Sequence, residues 1–231
     1  RVIEQLPLNI QWRDDATLQN FYPGDNVEAL KAISELSQGM GEPFLYIWGQ
    51  AGVGRTHLLQ AACHAASEKG IAAFYISLRD QNQLSLSALQ GVEDLPLVCI
   101  DDIDHIANLS LWEEALFHLF NRIQTKKGRL LIAADVAPKY LPLSLPDLKS
   151  RLNWGVTYQL HRLTDEQKVV VLQLRAQLRG LKLNKTVGQF LLSHCSRDMS
   201  ELQSILEKLD RASLVEQHRL TIPFVKHVLD L

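Results

Sequence analysis

The chain has 231 residues, 46% of them hydrophobic and 22% charged, with a formal net charge of −2 at pH 7. That is enough mass for a full hydrophobic core in one large or two small domains, and a near-neutral balance with no long basic run argues against a dedicated duplex-DNA binder. No apolar stretch approaches the ~18 residues that a membrane span needs, and the three cysteines (Cys63, Cys99 and Cys195) lie in apolar stretches without a C-x-x-C pair, which reads as buried reduced thiols of a cytoplasmic protein.

Residues 1–20 lack clear periodicity and read as a flexible tail; no signal peptide is evident, and because the sequence starts at Arg1 a few residues are expected to precede it. FYPGDN (21–26) is a turn-rich lead-in, with Asn26 placed to cap a helix over roughly 27–38 that stops near Gly39 and Gly41. FLYIW (44–48) is a short, wholly apolar run, as expected of a strand buried on both faces. A glycine-rich loop follows, then a helix carrying Leu58, Leu59, Ala62, Cys63 and Ala66 on one stripe, with Gly70 as its stop. Further strands are read at 72–77, at 95–104 running into acidic residues, at 129–135 and at 156–161. Between the runs at 95–104 and 129–135, 111–128 is an amphipathic helix with Leu111, Ala115, Leu116, Leu119, Phe120 and Ile123 facing inward. Alternating strands and helices imply an α/β domain with a parallel five-stranded sheet covered on both faces.

After about residue 162 the pattern changes to helices alone. TDEQKVVVLQLRAQLRGL starts at Thr164, with Glu166 and Gln167 placed for capping and Gly180 as the stop, and three more helical stretches follow. The expected division is therefore a tail (1–20), an α/β nucleotide-binding domain (21–162) and a small all-α lid domain (163–231).

The motif that carries chemistry is GQAGVGRTH, spanning Gly49, Gln50, Ala51, Gly52, Val53, Gly54, Arg55, Thr56 and His57. It matches G-x-x-x-x-G-K-[ST] except for arginine at 55. Such a loop turns backbone N–H groups toward phosphate oxygens, the following helix points its positive end at them, and the threonine hydroxyl can reach Mg²⁺. Its position between a strand and a helix is the context that makes the motif credible. LVCIDDID supplies the second part: an apolar strand ending in paired acids, with Asp101 assigned to the metal and Asp102 to the attacking water. Arginine at 55 keeps the positive charge and offers a planar fork, but it is not the compact point charge of lysine. Nucleotide binding should survive, therefore, with weak hydrolysis in the chain's own site.

With a strand between the two motifs and a helical region after the sheet, the chain resembles the AAA+ branch of phosphate-loop ATPases. FYPGDN, GRTHLLQA, CIDDID and SRLNWG together make residues 21–231 similar to the bacterial initiator family DnaA. The given sequence stops short of DnaA's DNA-reading helix-turn-helix domain, and LDRASLVEQHRLTIPFVKHVLDL is similar to the short DnaA relatives that inactivate DnaA. The resemblance implies that Phe21 and Tyr22 lie beside the base, that Asp135 is a sensor at the end of the fourth strand, and that Arg151 is an arginine finger acting in trans. Arg197 falls one helical turn before the family's second sensor position, where Ser200 stands. The resemblance also implies bound ADP with Mg possible, DnaA as partner, a homodimer, and contact with DNA mainly through the sliding clamp of the replicative polymerase. QLPLNI would dock that clamp through Gln5, Leu6, Leu8 and Ile10. Two other readings stay open: a self-contained ATPase of the helicase-loader type, and a non-catalytic adaptor between clamp and DnaA.

Overall fold

Five short apolar runs form one parallel sheet. In a computed structural model that describes residues 16–216 and 219–231, they are β1 (Phe44–Trp48), β2 (Ala73–Ser77), β3 (Leu97–Asp101), β4 (Arg129–Ala134) and β5 (Val156–Gln159). Their spatial order is β2-β3-β4-β1-β5. In sequence β2 separates the glycine loop from the acidic strand; in space it is β4, hydrogen-bonded to β1 on one side and to β3 on the other. Four helices accompany the sheet: α1 (Val27–Ser37), α2 (Arg55–Glu68), α3 (Ser110–Thr125) and α4 (Pro146–Leu152).

The strands look uniformly apolar in sequence because both faces are covered. Successive residues point to opposite layers. Tyr46, Ile76, Ile100 and Ile132 pack with Leu116, Leu119 and Leu148 from α3 and α4. Leu45, Ile47, Cys99 and Leu131 pack with Ile33, Leu58 and Cys63 from α1 and α2. The stripe expected on α2 is fully buried as read. On α3 the expectation needs one correction: Leu111 is 68% exposed, and its neighbour Trp112 takes the inward position. The third strand is also shorter than expected, because Asp102 adopts a left-handed conformation (φ 55°) and a 3-10 turn over Ile103–Ile106 follows.

Two corrections concern the lead-in. Asn26 sits at the start of α1 but makes no capping bond with its side chain. Its amide instead pairs with the backbone at the end of β5: Nδ2 donates to the His161 carbonyl (3.0 Å), and the His161 N–H donates to Oδ1 (2.7 Å). Residues 16–20, read as part of the tail, are fastened to the first unit: Ala16 is buried, Leu18 packs against the α1/α2 cluster, and the Thr17 carbonyl lies 2.9 Å from His57 Nε2.

The chain divides into two compact units, the first ending at His161 and the second Arg162–Leu231. The second unit is all helical: α5 (Asp165–Leu178), α6 (Lys185–His194), α7 (Met199–Glu216) and α8 (Ile222–Leu229). Thr164 and Gln167 form the full capping box at the start of α5. Val169, Leu172, Leu191, Leu206 and Val225 form this unit's own core.

Candidate nucleotide site

The glycine loop runs from the end of β1 into α2. Gly52 (φ 83°) and Gly54 (φ 97°) hold left-handed conformations that a side chain would strain, and they let the backbone fold back on itself. Two positions also have no room for a Cβ: on Gly49 it would lie 2.8 Å from the Leu160 carbonyl oxygen, and on Gly54 2.7 Å from the Phe21 ring. Phe21 therefore lies directly against the loop, its ring centroid 5.7 Å from that of His57, while Tyr22 beside it is half-buried. Gln50, Ala51 and Gly52 form the exposed tip, with Val53 tucked inward.

Strand β3 delivers both acids to the foot of this loop. The Thr56 hydroxyl donates to Asp101 Oδ2 at 2.6 Å, and the Tyr75 hydroxyl donates to the same oxygen at 3.2 Å. Burial and the neighbouring Asp102 charge raise the Asp101 carboxyl above its ordinary value, while the Thr56 and Tyr75 bonds and Arg55 oppose the rise. A hydroxyl and a carboxylate held together in this way are hard oxygen donors of the kind that suits Mg²⁺.

Asp102 is engaged differently. It is 2% exposed. Its Oδ1 faces two guanidinium groups, Arg55 at 3.8 Å and Arg79 at 3.3 Å, and its Oδ2 accepts from the Ser77 hydroxyl at 2.9 Å. Asp102 in turn pushes the Arg79 guanidinium pKa upward. Arg55 is itself only 9% exposed, and its Nη1 has no hydrogen-bond partner among the described residues. A buried guanidinium nitrogen without an acceptor is costly unless an anion completes it. With the left-handed glycines and the start of α2, this orphaned donor fits a polyphosphate.

Ser77, Arg79 and Tyr75 were not singled out from the sequence. The one signal in the sequence was Ser77 as the polar residue that closes an apolar strand; its place opposite Asp101 comes from the β2–β3 register, which only the structure gives. Asp104, just beyond, bonds the Asp135 backbone N–H (3.2 Å) through Oδ1. Its carboxyl is raised by burial and then by the Asp135 charge. Asp135, the expected sensor, thus lies immediately after β4 and close to Asp104.

The remaining expected residues lie elsewhere. Arg151 is on the last turn of α4, and its guanidinium carbon stands 3.9 Å from the centroid of the Trp154 ring. Arg197 belongs to the second unit, is largely exposed, and forms an ion pair with Asp165 at 3.6 Å. Gln5, Leu6, Leu8 and Ile10 lie outside the described residues.

Comparison with known proteins bears directly on this arrangement. The family described as the bacterial DnaA ATPase domain matches residues 13–159. The chain belongs to the DnaA family of AAA+ proteins. Residues 165–229 of this DnaA-family chain match a second family, the Hda lid domain, so it is an Hda-type, DnaA-related replication regulator. Among solved structures it is similar to domain III of the Thermotoga maritima initiation protein DnaA (21% identity, TM-score 0.76, covering 95% of this chain and 97% of that one). It is also similar to AMPPCP-bound DnaA from Aquifex aeolicus (24%, 0.72, 90% and 71%) and to Thermotoga maritima RuvB (16%, 0.66, 93% and 71%). The parallel five-stranded sheet followed by a helical region is the AAA+ arrangement expected from the sequence. Among the described residues, no helix is long and apolar enough to cross a membrane.

Proposed function

We propose that this chain inactivates the initiator DnaA by supplying an arginine to the ATP site of DnaA, while holding a nucleotide of its own without rapid turnover. The observation that carries this reading is Arg151, placed at the end of a short helix with its guanidinium lying on an exposed indole. An arginine presented in this way can enter a neighbour's site and stabilise charge on a transferring phosphoryl group, an effect of roughly 10³–10⁵ in rate for trans arginine fingers.

The chain's own site has a different emphasis. The loop from Gly49 to His57 holds the phosphates, with Arg55 as the cation and Phe21 and Tyr22 beside the base. Thr56 and Asp101 would hold Mg²⁺, whose contribution when bound is neutralisation of phosphate charge. Asp102, the acid expected to orient water, is committed to Arg55, Arg79 and Ser77, which supports weak hydrolysis and a resident ADP. A solved DnaA relative carries AMPPCP, in line with nucleotide binding in this fold. In this reading Asp135 senses the nucleotide, and Gln5, Leu6, Leu8 and Ile10 dock the sliding clamp. A homodimer is a storage form, and the site of action is the cytoplasm.

The test is hydrolysis of DnaA-bound ATP in the presence of clamp loaded on DNA. Arg151→Ala is expected to abolish the stimulation, and Gln5→Ala to shift it to higher protein concentration. Silence of Arg151→Ala alongside a strong Gln5→Ala effect would leave only an adaptor. The intact Thr56–Asp101 pair favours a second reading, a self-contained ATPase. That reading requires substantial ATP turnover by the chain alone, with neither DnaA nor clamp.

A further inference from the structure

The helix that carries Arg151 has little stability of its own. It is seven residues long, Leu145 at its N-cap offers no side-chain acceptor, and Pro146 opens it. Isolated helices of this length do not persist in water. Leu148 and Leu152 anchor one face in the core, but two apolar contacts do not fix the position of a guanidinium several ångströms away.

Two residues outside α4 supply what is missing. The first is Glu113 on α3, which is fully buried. Its Oε1 accepts from the backbone N–H groups of Asn108 (2.8 Å) and Ser144 (3.1 Å), and its Oε2 accepts from that of Leu145 (2.6 Å). The Ser144 hydroxyl closes the arrangement by donating to Asn108 Oδ1 at 2.9 Å. A buried carboxylate is expensive unless its lone pairs are satisfied. Here the satisfaction comes wholly from two loops, one of which leads directly into α4. Packing alone would be served by an apolar side chain, as at Leu116 one turn further along the same helix.

The second is Trp154. Its backbone N–H donates to the Arg151 carbonyl at 3.0 Å, and its indole face lies under the Arg151 guanidinium. Trp154 meets Phe120 of α3 edge-on at 6.5 Å, and Phe120 meets Phe44 of β1 edge-on at 5.1 Å. Gly155 permits the approach, since a Cβ there would stand 2.4 Å from the Phe44 ring. The indole is thus rooted in the core on one edge and 57% exposed as a whole. Both supports lead back to α3.

We infer that Glu113 and Trp154 are positioning residues for Arg151: Glu113 fixes the peptide from which α4 starts, and Trp154 holds the guanidinium in a single orientation before the partner arrives. This rests on the proposed role of Arg151 in trans. An exposed cation–π contact is weak enough to be exchanged for phosphate oxygens when they arrive. Ordering a flexible arginine in advance spares that cost in the transition state, where the guanidinium first meets the transferring phosphoryl group.

The test is single-turnover hydrolysis of DnaA-bound ATP at saturating regulator, with the clamp on DNA. Trp154→Ala is expected to lower the rate about three- to tenfold, the factor for ordering one long side chain, and Glu113→Gln about tenfold. The concentration for half-maximal stimulation should stay unchanged in both. Trp154→Phe should restore most of the loss, because it keeps an aromatic face. In an Arg151→Ala background neither change should lower the residual rate, whereas general damage to the fold would lower it again by the same factor. If Arg151→Ala is strongly defective while Trp154→Ala and Glu113→Gln match the wild type, or if either change is additive with Arg151→Ala, the positioning roles are wrong and the finger stands. If Arg151→Ala is itself silent, the finger falls and the positioning roles fall with it. Should Glu113→Gln prove unstable on thermal melting, the Trp154 pair of variants decides alone.

Discussion

Replacing Asp102 by asparagine should tighten nucleotide binding, although the residue belongs to the acidic motif. Arg55 and Asp102 lie 3.8 Å apart, and both are more than nine-tenths buried. At an effective dielectric of ~20 their attraction is about 4 kcal/mol. An incoming phosphate competes for Arg55 against that attraction and also meets the Asp102 charge directly. Arg79 shares Asp102 and damps both effects. If about a third of the attraction is given up on binding, the neutral side chain gains ~1.4 kcal/mol, a factor of about ten in affinity. The fold should tolerate the change, because asparagine accepts the left-handed conformation found at 102 and can still accept from Ser77. The assay is titration of a fluorescent ADP analogue in EDTA, so that no metal intervenes, with adenosine as the control that carries no phosphate. An ADP dissociation constant in EDTA that is unchanged or raised would refute the argument. It would return Asp102 to the role of a group that supports metal-bound water.

Gly54→Ala should unfold the first unit at lower temperature. The left-handed conformation costs roughly 1–2 kcal/mol with a Cβ, and the Phe21 ring must also move; a melting temperature within one degree of wild type would contradict the strain. Asp104→Asn should stabilise the fold at neutral pH. The folded-state value of Asp104 is raised, so the native state holds the proton more tightly than the unfolded chain. Stability is therefore full below the ordinary carboxyl range, near pH 4, and declines as pH rises through the window up to the raised value. The difference in melting temperature between variant and wild type should be positive at pH 7 and vanish below about pH 4, and a difference independent of pH would assign it to another cause.

Much of the first unit was legible because its signals are local. FLYIW and the α2 stripe each follow from a handful of neighbouring residues whose burial is nearly complete, and the glycine loop follows from the spacing of its own residues. What stayed hidden depends on residues far apart in sequence. Nothing local says that β4 enters between β1 and β3, since parallel pairing leaves no turn to read. The short helix α4 escaped because seven residues opened by proline give no 3.6-residue period. Glu113 looked like one polar residue among others on an amphipathic helix, yet it is fully buried. Asn26 carried an N-cap signature and used its amide on His161 instead, a pairing no local pattern announces. Of the site itself, the loop and both acids were visible. The arginine and serine that hold Asp102 were not, because they reach it only through the β2–β3 register.

The position of β1 in the sheet has a consequence for biosynthesis. Leu45 pairs with Leu131 on one side and with Val156 on the other. A chain emerging at about 5–20 residues per second therefore leaves FLYIW without either neighbour for several seconds, during which β2 and β3 already have each other. Contacts between such distant segments are formed late. The Leu160 carbonyl lies against Gly49 at the foot of the glycine loop, so the loop's surroundings are complete only once almost the whole first unit has left the ribosome. Nucleotide capture by the nascent protein would then serve as a timer: it should begin abruptly once residue 161 is exposed, and ribosome-bound chains stalled just short of β5 should remain clients for chaperones.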